Sequence, residues 1–289
     1  MQTKIDRRTA LAWGAAGLAA GTAEVAAARQ GAAVRKRRLD PANPEDARLI
    51  ARKLRYRTDS GLLFSWIKGP YMAEIDGDLI PMYAINLGSI QRVEQRADGG
   101  FNLSDLEISF RVDVETGKRV SSFRNPVTGE DLQLPVNVQG PNHLTVSRDN
   151  VLQIADIPGG PRFALTHHPS TPFQLGGDVF MRDRSHSVVT FPDGSTSNLN
   201  EVSTLSAPAS QVLDPHTTMA DTRVQSNDVR SWPAWLRMGA RPGMLALFGN
   251  GAKVRSFADM PADWQELLDQ YAPEIARDPV AALDRVVKR

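Results

Sequence analysis

The chain carries five histidines, His143, His167, His168, His186 and His216, and no cysteine. Imidazole changes charge near neutral pH, so histidine leads any list of acid–base groups. His143, His168 and His186 are the candidates for proton transfer, with Arg111 and Arg124 as cations to steady a developing anion. His167 and His168 are adjacent, and adjacent strand residues point to opposite faces, so at most one of them enters a barrel interior. Both lying at a strand end is the plainer arrangement. His168, His186 and Glu201 also make up a two-imidazole, one-carboxylate metal set, but no HxH, HExxH or HxxxH pair supports it. The absence of thiols removes thiolate zinc sites, iron–sulfur clusters and a cysteine nucleophile. No GxSxG elbow is present, and Gly88-Ser89 and Asp193-Gly194-Ser195 read as turns. No cofactor is expected.

Asp105 and Glu107 share one face of a strand, about 7 Å apart. They are either a glycosidase-type carboxylate pair or the wet face of an amphipathic strand, with Arg111 on the same face to neutralise Glu107. Trp66, Tyr71, Tyr83, Trp232, Trp235, Met238, Met244 and Phe248 are the residues to line a largely apolar cavity, such as a barrel mouth offers. Of these, Trp66, Tyr71, Tyr83, Trp232, Trp235 and Met238, together with Glu107, are the candidate ligand contacts. The segment Trp232–Met238 has the character of a lid, followed by a mobile-looking Gly249-Asn250-Gly251. The plainer alternative is that these aromatics plug the barrel end.

Such groups need a frame, and the chain supplies a β-rich one. Asn43 as N-cap, Pro44 at the first position and acids in the first turn predict a helix over 44–55. From Gly61 the pattern becomes strands. Asp76-Gly77 is a hairpin signal between 71–75 and 79–85. Leu106, Ile108 and Phe110 alternate with Glu107, Ser109 and Arg111, the period-two signature of a half-buried strand. Further short strands follow to about residue 224, joined by turns. No βαβ alternation, GxGxxG, Walker motif or repeat is present. The expected fold is mainly β: an antiparallel meander closed into a barrel-like (calycin-like) body or a sandwich, so as to protect its edges. An N-terminal helix and a helical or loop segment over about 230–289 complete it. Residues 43–289 form one domain in this reading.

The N-terminus predicts an address. Residues 1–28 combine Arg7-Arg8, a mild Ala/Gly-rich apolar run over 10–20 and Ala26-Ala27-Ala28. That is the layout of a twin-arginine signal peptide. The run falls short of the about 20 strongly apolar residues a spanning helix needs. Residues 29–42 read as a linker, with the basic cluster Arg35–Arg38 either a solvated tail or a contact with anionic lipid. The whole chain has a net charge of +1, and loss of residues 1–28 leaves it neutral. Electrostatically driven nucleic-acid binding is therefore not expected. A soluble periplasmic or secreted protein is expected, with the twin-arginine translocase as its partner during export and no stable membrane span. Folding before export also suits a chain without disulfides.

Asp113-Val114-Glu115-Thr116-Gly117-Lys118 and Phe123-Arg124-Asn125-Pro126-Val127-Thr128-Gly129-Glu130 are a D-x-x-TG turn and an aromatic-x-NP-x-TGE turn. With the twin-arginine leader and the late Trp-Pro-x-Trp segment, they resemble domain-of-unknown-function family 1838 over about 45–280. The family has Trp where this chain has Phe123, and His near Asn137. The resemblance implies no established activity.

Two functions fit these residues. One is an exported small-molecule-binding barrel acting as a cofactor-free lyase, isomerase or hydrolase on an apolar or aromatic compound. The other is a non-catalytic carrier or sensor of an apolar ligand. A His–carboxylate or His–Arg cluster inside the barrel supports the first, and an apolar lumen with its histidines outside supports the second. A barrel filled by its own side chains is the mark of a structural protein of the envelope.

Overall fold

A computed structural model describes residues 37–134, 136–154 and 160–284. The expected signal peptide and residues 29–36 of the expected linker lie outside them. Thirteen strands are formed among the described residues: β1 (Gly61–Ile75), β2 (Asp78–Gln95), β3 (Phe101–Val112), β4 (Ser122–Arg124), β5 (Asp131–Gln133), β6 (Asn137–Val146), β7 (Leu152–Ile154), β8 (Arg162–Pro169), β9 (Phe173–Leu175), β10 (Asp178–Thr190), β11 (Thr196–Pro208), β12 (Thr222–Arg230) and β13 (Met244–Val254). Helices are α1 (Pro44–Arg55), α2 (Ala209–Val212), α3 (Ala262–Tyr271), α4 (Pro273–Arg277) and α5 (Pro279–Ala282).

Eleven strands make one antiparallel sheet in the order β7-β6-β3-β2-β1-β13-β12-β11-β10-β8, with β9 beside β10, and β4 pairs β5 separately. The sheet curls until it is nearly a barrel, which decides between the barrel and sandwich expectations. Its two free edges meet where the Leu152 amide of β7 donates to His167 Nδ1 on β8, at 3.0 Å.

Several runs that read as separate short strands are continuous. β1 crosses Gly69-Pro70 and β2 crosses Pro81, with the register slipping between Tyr71 and Met72 to absorb the irregularity. The tight turn between them has positive φ at both Asp76 and Gly77, as the Asp-Gly pair requires. The expectation of a mobile stretch at Gly249-Asn250-Gly251 is corrected: it lies inside β13, with Asn250 opposite Lys68 of β1 and Gln225 of β12. Gly251 is glycine because a Cβ there would run into the Trp66 backbone carbonyl. The reason is close approach of two strands rather than mobility.

Parity in β3 separates two layers. Leu106, Ile108 and Phe110 face outward and are covered by Trp264, Leu268 and Ile275 of the C-terminal helices, where the Trp264 indole donates to the Ile108 carbonyl at 3.2 Å. The alternate residues face the interior. α1 closes one end of that interior through Ile50 and Leu54, both fully buried. Asn43 Oδ1 accepts from the Glu45 and Asp46 amides to start it. Lys253 of β13 donates to the Lys53 and Tyr56 carbonyls at its other terminus, satisfying groups the helix leaves unpaired.

Candidate functional site

Between the two ends the interior is polar. Pairing register places Ser89, Gln91, Asp105, Glu107, Arg111, Asp183, Glu201, Ser203, Ser226, Asp228 and Arg230 on the inward face of their strands. Asp105 Oδ1 accepts from Ser89 Oγ at 2.6 Å and Gln91 Nε2 at 2.9 Å. Glu201 Oε1 accepts from Ser203 Oγ at 2.8 Å and Ser226 Oγ at 3.3 Å. Arg230 grips Asp228 with two nitrogens, Nε at 3.2 Å and Nη2 at 2.5 Å. The Tyr71 hydroxyl donates to the same carboxylate at 3.4 Å, and the Arg230 guanidinium lies 5.3 Å from the Tyr71 ring centre. Nearer α1, Asp183 lies between His167 Nε2, at 2.6 Å, and Arg55 Nη1, at 2.5 Å. The Leu152 amide fills His167 Nδ1, so the ring proton sits on Nε2 and is donated to Asp183.

Electrostatics divide these acids. Burial, together with the negative charges of Asp105 and Glu201, pushes the Glu107 carboxyl up to about 8, against the pull of Arg230 and Arg55. Burial also raises Asp105, although Ser89, Gln91 and Arg55 work against it. Asp228 is raised by burial despite Arg230. Burial alone would raise Asp183 too, but Arg55 and the His167 hydrogen bond outweigh it and hold the group below the ordinary carboxylate range. Burial carries Tyr83 up to about 12 and Tyr71 well above its usual value. At neutral pH Glu107 is therefore largely a protonated acid, able to donate a proton in the way acid–base catalysis uses. Glu107 and Glu201 are half-buried on the inward face of their strands.

The structure brings some of the expected site residues together and not others. Tyr71, Tyr83, Glu107 and Arg111 share the interior. The carboxylate pair Asp105/Glu107 faces this lumen, not solvent, and its nearby cations are Arg55 and Arg230. Arg111 lies instead beside the Tyr83 hydroxyl and over the Trp235 ring, 5.4 Å from its centre. Trp235 and Met238 close the end opposite α1, with Tyr83 in ring contact with Trp235 and Phe123 at 5.7 Å each. Trp232 sits on the rim, donating to the Arg241 carbonyl. The end segment is pinned by Asn125 of the NP-x-TG turn, whose amide donates to the Leu236 carbonyl at 3.0 Å and contacts Met238 Sδ at 3.5 Å. That anchoring makes it a plug.

Trp66 packs on the outer face against the C-terminal helices, and Met244 and Phe248 are exposed there. Arg124 is exposed, 3.9 Å from Asp131. His143 is exposed and bonded to Ser104 Oγ, His186 is exposed and bonded to Asn200 Oδ1, and His168 is exposed opposite Arg184. These three imidazoles point outward and do not meet; of the adjacent pair, His167 is the one that turns inward. Glu201 faces the interior, so the His168, His186, Glu201 metal set does not converge. Among the described residues no group of three or more His, Asp or Glu is placed to hold a metal ion. The residues not singled out from sequence are Arg55, Asp183, Asp228 and Arg230.

No curated protein and no solved structure matches this chain. The family model described as "Protein of unknown function (DUF1838)" matches residues 179–287. The matched stretch runs from β10 through the C-terminal helices and includes Asp183, Glu201, Asp228 and Arg230, while the turn motifs at 113–130 lie outside it. The match supports the likeness to domain-of-unknown-function family 1838 over this C-terminal part of the chain.

Proposed function

We propose that this barrel binds a small molecule in its lumen and performs cofactor-free acid–base chemistry on it, as a lyase, isomerase or hydrolase. The observation that carries the reading is the chemistry of the lumen: a protonated Glu107 among Asp105, Glu201, Asp228, Arg230 and two tyrosines, where a carrier of an apolar ligand would present apolar walls. Glu107 is the proton donor. Glu201, hydrogen-bonded by two serines and reaching the same lumen from another wall, is the carboxylate to accept a proton. The aromatic end formed by Tyr71, Tyr83 and Trp235 suits a flat or aromatic substrate.

The test is NMR-detected turnover, or deuterium uptake from heavy water, with a panel of small aryl esters, lactones and enones. Wild type should act on at least one probe, and Glu107→Gln and Glu201→Gln should each lose that action while keeping the fold. Saturable binding without turnover, unchanged in both variants, would establish the carrier instead.

Residues 1–28 support export to the periplasm or medium by the twin-arginine route. Replacing Arg7 and Arg8 by lysine should strand the protein in the cytoplasm on cell fractionation. Normal export of that variant would remove the proposal.

A further inference from the structure

The C-terminal helices cover the outer face of β1–β3, but among the described residues they leave the outer face of β8–β12 uncovered, and its composition is lopsided. Along β10 the outward residues run Phe180, Arg182, Arg184, His186, and His168 of β8 stands directly opposite Arg184. Arg182, Arg184, His168 and His186 are all exposed. Among the described residues neither arginine has an ion pair. The acids nearest this face are already engaged: Asp178 with Arg223, and Asp193 with the Ser195 amide and hydroxyl of its own turn.

One end of the row is apolar. β9 folds against β10 so that Phe173 stacks on Phe180, with ring centres 5.7 Å apart, and Phe173 and Leu175 are 51% and 68% exposed. Phe180 to His186 spans about 20 Å of strand. An apolar tip followed by a cationic band, with no free carboxylate between, has the order of layers that a lipid interface presents: acyl chains first, then phosphates. A soluble polyanion would engage the band but give the exposed Phe173 and Leu175 no partner.

We infer that this face docks the protein on an anionic phospholipid surface, with Phe173 and Leu175 entering the headgroup boundary and Arg182 and Arg184 meeting lipid phosphates. The inference is independent of the chemistry assigned to the lumen.

Co-sedimentation of the full chain with phosphatidylcholine vesicles, with and without phosphatidylglycerol, tests it. Wild type should bind the anionic vesicles, less at high salt, and leave the neutral ones free. Arg182→Glu with Arg184→Glu should weaken that binding by about tenfold or more, with the basic cluster at 35–38 unchanged. Phe173→Ser with Leu175→Ser should remove what survives in salt. Both are surface changes, so thermal melting should match wild type and exclude misfolding. Equal binding by the arginine variant, no binding by wild type, or binding of soluble heparin without binding of vesicles would each overturn the inference.

Discussion

Replacing Asp183 by alanine should destabilise the barrel by about 3–5 kcal/mol, the cost of leaving a buried charge without its partner. Asp183 is 3% exposed and serves two groups at once. Its Oδ2 faces Arg55, which closes α1, and its Oδ1 takes the Nε2 proton of His167. Removing the carboxylate strands the guanidinium inside and frees the imidazole that receives the Leu152 amide across the barrel's open edge. Helix plug and sheet closure therefore weaken together. Asp183→Asn keeps the volume and one acceptor, and should cost less, about 1.5–3 kcal/mol.

The pH profile provides a second check. Because the folded-state pKa of Asp183 is depressed, its contribution is present above the ordinary carboxylate value and fades as pH falls through the lower one. The gap between wild type and alanine variant should thus narrow in acid. Denaturant titration with unchanged m-value measures the loss, and hydrogen exchange at the Leu152 amide should accelerate. A loss below about 1 kcal/mol would mean that water, not Asp183, already solvates Arg55.

What the sequence makes legible is whatever repeats locally. The alternation of Leu106, Ile108 and Phe110, the Asp76-Gly77 turn and the Asn43-Pro44 helix start each depend on a few neighbouring residues, and each appears where expected. The glycines of β13 are harder to read because their reason lies on another strand, in the Trp66 backbone and the backbone and side chain of Ile67. The interior carries even less local signal. Along β12 both faces are polar, with Arg223, Gln225 and Asn227 outside and Ser226, Asp228 and Arg230 inside, so no periodicity marks the lumen. His167 and His168 differ by one position, and one position of strand parity exchanges inside for outside. Arg55, His167 and Asp183 come from a helix and two strands, so only the pairing register brings them to one point. Strand parity puts Asp105 and Glu107 on one face, but which face depends on where the C-terminal helices pack.

Glu107→Gln should remove lumen catalysis by about 10²–10⁴-fold, the usual contribution of a positioned proton donor, and should at the same time change how stability depends on pH. Glutamine preserves the size and the hydrogen-bonding capacity of the protonated acid. Because the folded-state pKa of Glu107 is raised to about 8, the folded protein binds a proton that the unfolded chain has already lost anywhere between the ordinary glutamate value and 8. The sign follows: the contribution of Glu107 is complete below that ordinary value and is lost as pH rises through 8. Wild type should therefore lose stability relative to Glu107→Gln as pH rises from about 5 to 9, with the two closest in acid. Taking the difference between the two proteins subtracts the groups they share, including Asp183, whose dependence has the opposite sign. Burial raises Glu107 most, and Asp105 and Glu201 add repulsion to it, so Asp105→Asn should move the transition to lower pH. Infrared titration reads the same group directly, as a protonated-carboxyl band present at neutral pH in wild type and missing in the glutamine variant. Parallel pH profiles for wild type and Glu107→Gln would show that Glu107 is ionised in the folded state, and the lumen would then have lost its proton donor.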